Sequence, residues 1–301
     1  MTDQKYKRQV NLLLKVLPEV SKETIFALHG GTAINLFVRN MPRLSVDIDL
    51  TYIPIESRKI SLEKVHEALE QISVRLDKII PEARINHKQD VGKLLIATSG
   101  AEIKVEVNLV GRGILGEAQR WMLSDKISEE YQAFVATQVV PFGQLYGGKI
   151  CAALDRQHPR DLFDVKYLLE NEGLSRDVMI GFLLTLISND RPMHEVLNPN
   201  LLDQKKAMDN QFIGMTSHDF DYDDFEEVRS KLVQLTNKSL LQEDKEFLLS
   251  VKNLNPNWGI HDFERFPAVR WKLQNLEKLQ KSNPNKHRKQ LDLLQKHLEV
   301  L

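Results

Sequence analysis

Cysteine is almost missing from this chain, with one residue, Cys151, in 301. A lone thiol closes no internal disulfide and builds no multi-cysteine zinc site, so the expected compartment is a reducing cytoplasm. Long apolar runs are missing too. No stretch approaches the length of a membrane span, and the opening Met-Thr-Asp-Gln-Lys-Tyr-Lys-Arg has no apolar core of a secretion signal. Nor does one sign of charge dominate: 41 Lys and Arg stand against 42 Asp and Glu. That balance argues against a broadly basic, nonspecific nucleic-acid binder, while leaving room for an enzyme that grips one RNA through a local patch. The densest basic patch, Lys278 to Lys289, reads first as solvated helix surface and second as an RNA contact. Internal repeats and low-complexity segments are absent. What remains, 42% hydrophobic and 28% charged residues, is the composition of a globular chain with room for one large domain or two.

The informative stretch runs from His29 to Leu50. Gly30-Gly31-Thr32 precedes a short helical segment, expected over about Thr32 to Val38, and then Val46-Asp47-Ile48-Asp49-Leu50. Alternation along a strand puts Asp47 and Asp49 on one side and Val46, Ile48 and Leu50 in a core. Two carboxylates sharing a face repel unless a positive charge lies between them, and such oxygen ligands suit Mg²⁺ that also holds substrate phosphates. Glycines let backbone approach a phosphate, and a helix they open aims its free amides at the anion.

Further along, Glu102-Ile-Lys-Val-Glu-Val-Asn108 alternates as a half-buried strand, with Glu102, Lys104, Glu106 and Asn108 on its polar face. Helical spacing is expected over residues 5–17 and 57–80, with short strands at 25–28 and 92–98. Helices dominate from about Pro141. Lys149 and Arg156 lie two turns apart on one of them and share a face, and Pro159 suits the first turn of the next, with Asp161 and Asp164 at i, i+3. A loop is expected over Ser188 to Pro199, and the acidic run Asp219 to Glu227 begins a helix with Phe225, Val228, Leu232 and Leu235 inward. The rest, to Leu301, is helical with a break at Asn255 to Trp258. The fold class is therefore α/β, a mixed sheet flanked by helices and followed by an all-helical C-terminal region.

The glycine turn, the Arg43-Leu44-Ser45 lead-in and Asp-x-Asp together resemble the nucleotidyltransferase superfamily, specifically the AbiEii-like toxins of type IV toxin–antitoxin systems. Lys149, Arg156, Arg160, Asp161 and Asp164 match a second signature of those toxins, a Lys-x-x-Ala-Leu-x-x-Arg helix followed by Arg-Asp-x-x-Asp, with Ala152-Ala153-Leu154 approximating its centre. The likeness covers about residues 25 to 170. It implies a catalytic domain over 1–140 and a helical domain over 141–301 that contributes Lys, Arg and Asp to the active-site cleft. It also implies a third carboxylate from a neighbouring strand, Glu106 with Glu102 as second choice, acting as general base or metal ligand. Asp47, Asp49 and Glu106 would then hold one or two Mg²⁺, and Gly30, Gly31, Thr32 and Ser45 would meet the nucleotide. Lys149 and Arg156 would neutralise triphosphate charge, and Asp161 would orient either cation or touch the nucleotide. The implied reaction moves a nucleoside monophosphate from an NTP to an acceptor hydroxyl, with the tRNA 3′ end as acceptor, translation blocked, and a cognate antitoxin as partner. Nucleotide transfer to a protein side chain, a noncatalytic antitoxin-binding scaffold and a metal-dependent phosphohydrolase are the alternatives.

Plainer roles exist for each residue. Lys149 and Arg156 could be helix-surface charges, Asp161 could complement a helix dipole, and Asp164 could pair with Arg160. His29, His158, His194 and His261 show no ligand spacing.

Overall fold

A computed structural model describes residues 4–301. The chain divides into two compact units, one running up to Pro141 and taking in Asn210–Asp219, the other comprising Phe142–Asp209 and Phe220–Leu301. The return of a distant ten-residue piece to the first unit has no local signature in the sequence.

In the first unit α1 (Gln4–Val20) leads into β1 (Phe26–His29), and a short α2 (Gly30–Thr32) runs on into a π-helical turn over Ala33–Val38. Then come β2 (Asp47–Tyr52), α3 (Arg58–Ile79), β3 (Arg84–Lys88), β4 (Lys93–Ala97) and β5 (Glu102–Asn108). The unit's first stretch closes with β6 (Gln119–Met122), α4 (Asp125–Tyr131) and β7 (Ala136–Val139). The seven strands form one mixed sheet in the order β3-β4-β5-β2-β1-β7-β6. β2 runs antiparallel to β1 and parallel to β5, and β1 is parallel to β7.

Alternation divides the sheet's two faces. Ile48, Leu50, Leu94, Ile96, Ile103, Val105 and Val107 are buried. Over them pack α1, through Leu13 and Leu17, and α3, whose apolar stripe Val65, Leu69, Ile72 and Leu76 recurs at helical spacing. Burying such side chains stabilises the unit by roughly 1.5–3 kcal/mol each relative to exposure. This apolar face fixes register, because a slip of one residue in β2 would send Asp47 and Asp49 into the core. The segment 210–219 joins the unit through backbone: Leu44 donates its amide to the Met215 carbonyl at 2.7 Å, and Arg43 bridges Thr216.

The second unit is helical. It holds α5 (Phe142–Arg156), α6 (Pro159–Asn171), α7 (Arg176–Leu186), α8 (Met193–Leu197) and α9 (Lys205–Gln211), the last ending in the segment that returns to the first unit. It then continues with α10 (Tyr222–Lys238), α11 (Gln242–Lys252), α12 (Pro267–Ser282) and α13 (Pro284–Val300). The stretch expected as a loop over 188–199 contains α8, one short turn of helix between buried Met193 and Leu197. The acidic run does open a helix: Asp221 caps α10 through a reciprocal capping box with Asp224. Inward positions on it are Phe225, Val228 and Leu232, while Thr236 rather than Leu235 is fully buried. α5 and α7 approach backbone to backbone, since a Cβ on Gly147 would collide with the main chain of Gly181 and Phe182. Only glycine permits that contact. No helix among the described residues is long and apolar enough to cross a membrane.

Candidate active site

β2 and β5 pair in a register that sets Asp47 opposite Lys104 and Asp49 opposite Glu106. β4 places Lys93 opposite Glu106, and β1 places His29 opposite Asp49. One rung across four strands therefore reads Lys93, Glu106, Asp49, His29. Side chains at paired positions point to the same face, so the three expected carboxylates share a polar surface. Each of the three is half-buried.

Charge on this surface is interleaved. Lys104 Nζ stands 3.1 Å from Glu106 Oε2 and 3.9 Å from Asp47 Oδ2, and Lys93 Nζ lies 2.9 Å from Glu106 Oε1. Burial alone would raise the Glu106 carboxyl, yet hydrogen bonds from Lys93 and Lys104 outweigh it and hold the group below its ordinary value. Burial likewise pulls Lys104 down, but Asp47, Glu106 and Asp49 together keep it above its ordinary value. Glu106 is thus firmly ionised, which suits it to holding positive charge better than to collecting a proton near neutrality. Glu102, at the exposed start of β5, pairs with Ala97 and lies off the rung.

The glycine turn sits directly on the acids. Gly30 has φ +73°, a conformation side chains rarely adopt, and a Cβ there would lie 2.6 Å from Asp49 Oδ2. A Cβ on Gly31 would lie 2.8 Å from the Arg43 guanidinium and 3.1 Å from Ser45 Oγ. Behind the turn, the fully buried Thr32 hydroxyl donates to the Asp47 carbonyl and lies 2.9 Å from Ser45 Oγ. Thr32 and Ser45 therefore tie the turn to β2, and the main chain of Gly30 and Gly31 borders the carboxylates. Such a turn, followed by a π-helical segment of the kind found at functional sites, leaves room for backbone to approach an anion.

Could this surface hold a metal ion? Its three carboxylates supply oxygen donors, and the Lys104 ammonium already lies 3.9 Å from Asp47 and 3.1 Å from Glu106, so a positive charge is accommodated there. Among the described residues, no three acidic, histidine or cysteine side chains gather into a ready-made metal cluster. The donors fit a cation held by one or two carboxylates and completed by substrate oxygens, the usual Mg²⁺ arrangement, and not a dedicated protein cage.

The second expected cluster forms within the helical unit. Lys149, only 7% exposed, pairs with Asp161 at 2.8 Å and Asp164 at 3.0 Å. Asp161 also receives Arg156 through two hydrogen bonds, Nε at 2.6 Å and Nη2 at 3.0 Å. Burial works to raise Asp161, but the charges of Lys149 and Arg156 and their hydrogen bonds hold it well below the usual carboxylate range. Asp161 orients both cations at once. Lys149 is a buried tie between α5 and α6, not a helix-surface charge, and Asp164 takes it as a partner. The Arg156 side chain remains 63% exposed. His158 caps α6 by accepting the Arg160 amide at 3.1 Å, and His261 binds the buried Asp244 at 2.8 Å, both structural roles.

The sequence does not mark Lys93, and it gives Lys104 and His29 no role at the site. Lys104 was visible on the polar face of β5, but Lys93 and His29 enter only through cross-strand register, which no local pattern reports.

A glycine turn packed on carboxylates in the middle of a mixed sheet is the arrangement that the nucleotidyltransferase resemblance implies. Residues 11–275 match the protein family described as nucleotidyl transferase AbiEii toxin of type IV toxin–antitoxin systems, and the chain belongs to that family. Among solved structures it is similar to MenT4, a nucleotidyltransferase toxin from Mycobacterium tuberculosis H37Rv. The TM-score is 0.62 at 15% identity, over 90% of this chain and 93% of that one, so the likeness is one of fold. No curated protein matches the chain. Toxins of this family act in general on nucleoside triphosphates and are countered by an antitoxin.

Proposed function

We propose that this toxin transfers a nucleoside monophosphate from an NTP to the 3′ end of tRNA in the cytoplasm and so blocks translation, with a cognate antitoxin protein as its partner. The observation that carries the reading is the seat of Gly30 against the Asp49 carboxylate, on the rung shared with Glu106. It joins a phosphate-admitting turn to a cation-holding pair. Asp47 and Asp49, with Glu106, are the residues to hold one or two Mg²⁺; when bound, Mg²⁺ neutralises charge on the triphosphate. Gly30, Gly31 and Thr32 offer main chain to the phosphate oxygens, braced by Ser45. Arg156 presents the exposed guanidinium to nucleotide charge, and Lys149 and Asp161 are positioning residues that fix it, a role that rests on the family signature.

In the transfer, the acceptor oxygen bonds to the α-phosphorus while the bond to the bridging α–β oxygen breaks. Pyrophosphate leaves with that electron pair, and the hydroxyl proton passes to water. The protein's contribution is orientation and charge stabilisation, the terms on which phosphoryl-type transfer depends.

The test incubates the protein and Mg²⁺ with each of the four labelled NTPs, purified tRNA and cell protein. Label in tRNA with pyrophosphate release supports the proposal. Label in protein moves the acceptor to a side chain, release of inorganic phosphate indicates a phosphohydrolase, and no label in any fraction leaves a scaffold that binds antitoxin.

A further inference from the structure

A second cationic site lies in the helical unit, in residues outside the transferase signature. Asp190, Met193, Lys252, Lys272, Asn275, Lys286 and Gln290 are among the residues lining a cavity of about 250 Å³. Three lysines face one carboxylate there. Lys252 and Lys272 are 4% and 7% exposed, so both ammonium groups are held out of bulk water. Lys272 is spent on the main chain: its Nζ donates to the carbonyls of Asn189, Asp190 and Arg191. Lys252 is not. Gln290 Oε1 takes one of its three N–H donors at 2.8 Å, and among the described residues no carboxylate lies within ion-pair distance of it.

A buried charge with no counter-ion is costly. Burial and the neighbouring Lys272 charge push Lys252 down to about 8, and burial, with a smaller contribution from the Lys252 charge, lowers His194 and His287. The end of α11 thus keeps a positive charge with no ion-pair partner, in a cavity where three lysines outnumber the one carboxylate, Asp190, and which Asn275, Gln290 and Lys286 also line. The missing partner is an anion. The volume lies below the roughly 300–1,000 Å³ of drug-sized sites and suits one small polar group with its waters.

We infer that this cavity binds a phosphate group, held by Lys252 and Lys286 with Asn275 and Gln290 as neutral donors. Phosphate, with several acceptor oxygens and about two negative charges, matches a pair of ammonium groups and amides. The group could be free phosphate or pyrophosphate, or the terminal monoester of a nucleotide or RNA. Nothing in this site depends on the transferase reading.

Thermal melts in EDTA, with inorganic phosphate, pyrophosphate, AMP and a 5′-phosphorylated RNA trinucleotide as probes, test it. A ligand that binds only the folded state raises Tm with the logarithm of its concentration. The expected result is such a rise for wild type with at least one probe, weakened about tenfold or more in Lys252→Met, the loss of one charge-assisted hydrogen bond. Lys286→Ala, at an exposed position on α13, is expected to weaken it likewise and serves if the buried variant does not fold. Lys252→Met without ligand is expected to melt at or above the wild-type temperature, because it removes an uncompensated charge. Response to phosphate or pyrophosphate above the other two assigns a free anion, and response to AMP or RNA equal or greater assigns a monoester end. A wild type indifferent to all four probes, or variants that respond as wild type does, overturns the inference.

Discussion

Asp49 joins the two halves of the candidate active site, lying against Gly30 and in register with Glu106 and His29. Asp49→Asn, nearly isosteric, is expected to cut nucleotide transfer by roughly 10²–10³-fold while leaving the melting curve in place, as loss of one charge-stabilising group does elsewhere; an unchanged rate in the labelled-NTP assay would remove Asp49 from the site. In the helical unit, Asp161→Asn leaves Lys149 with Asp164 alone and is expected to cost about 3 kcal/mol in urea unfolding, the low end for breaking a buried pair. Asp161 and Asp244 both sit below the usual carboxylate range, Asp244 against its burial through His261 and Arg176. Their folded values are depressed, so the stability they confer is full above the unfolded value of about 3.9 and drains away as pH falls further toward the folded values. Melts between pH 7 and pH 2 should show that loss, and should show less of it in Asp161→Asn. At this scale the acids were legible, because alternation alone assigns Asp47, Asp49 and Glu106 to polar faces. Lys93 and His29 were not, since their place depends on pairing partners distant in the chain.

Elements carry the next set of constraints. β2 and β5 were readable from period-two alternation over apolar neighbours, as was α3 from its stripe. β3, β6 and β7 were not, because they are short, and β3 has every second residue exposed and no residue fully buried, so they lack the contrast that marks a strand. The α5–α7 crossing was equally hidden. It depends on Gly143, Gly147 and Gly181, which look like helix-weakening residues until the second helix is laid against the first. Gly147→Ala is expected to force the helices apart at a cost of about 1–3 kcal/mol, the range for overpacking, and to lower Tm accordingly. Gly30→Ala should behave differently. Its strain is local, about 1 kcal/mol, but its methyl group would push into the Asp49 carboxylate, so transfer should fall far more than stability does.

On the scale of the whole molecule, the return of 210–219 to the first unit was invisible because backbone pairing across so long a separation leaves no periodic trace. A protein ending at Pro141 lacks the Met215 carbonyl and the Thr216 bridge that hold Leu44 and Arg43. Such a fragment is expected to show no cooperative thermal transition, and a sharp melt matching that of the full protein would contradict the assignment of 210–219 to the first unit. That returning strap also has a meaning in time. A ribosome making this chain extrudes the two aspartates well before the segment that completes the frame around them, so the acidic strand waits, unfinished, for a piece of backbone made about 160 residues later.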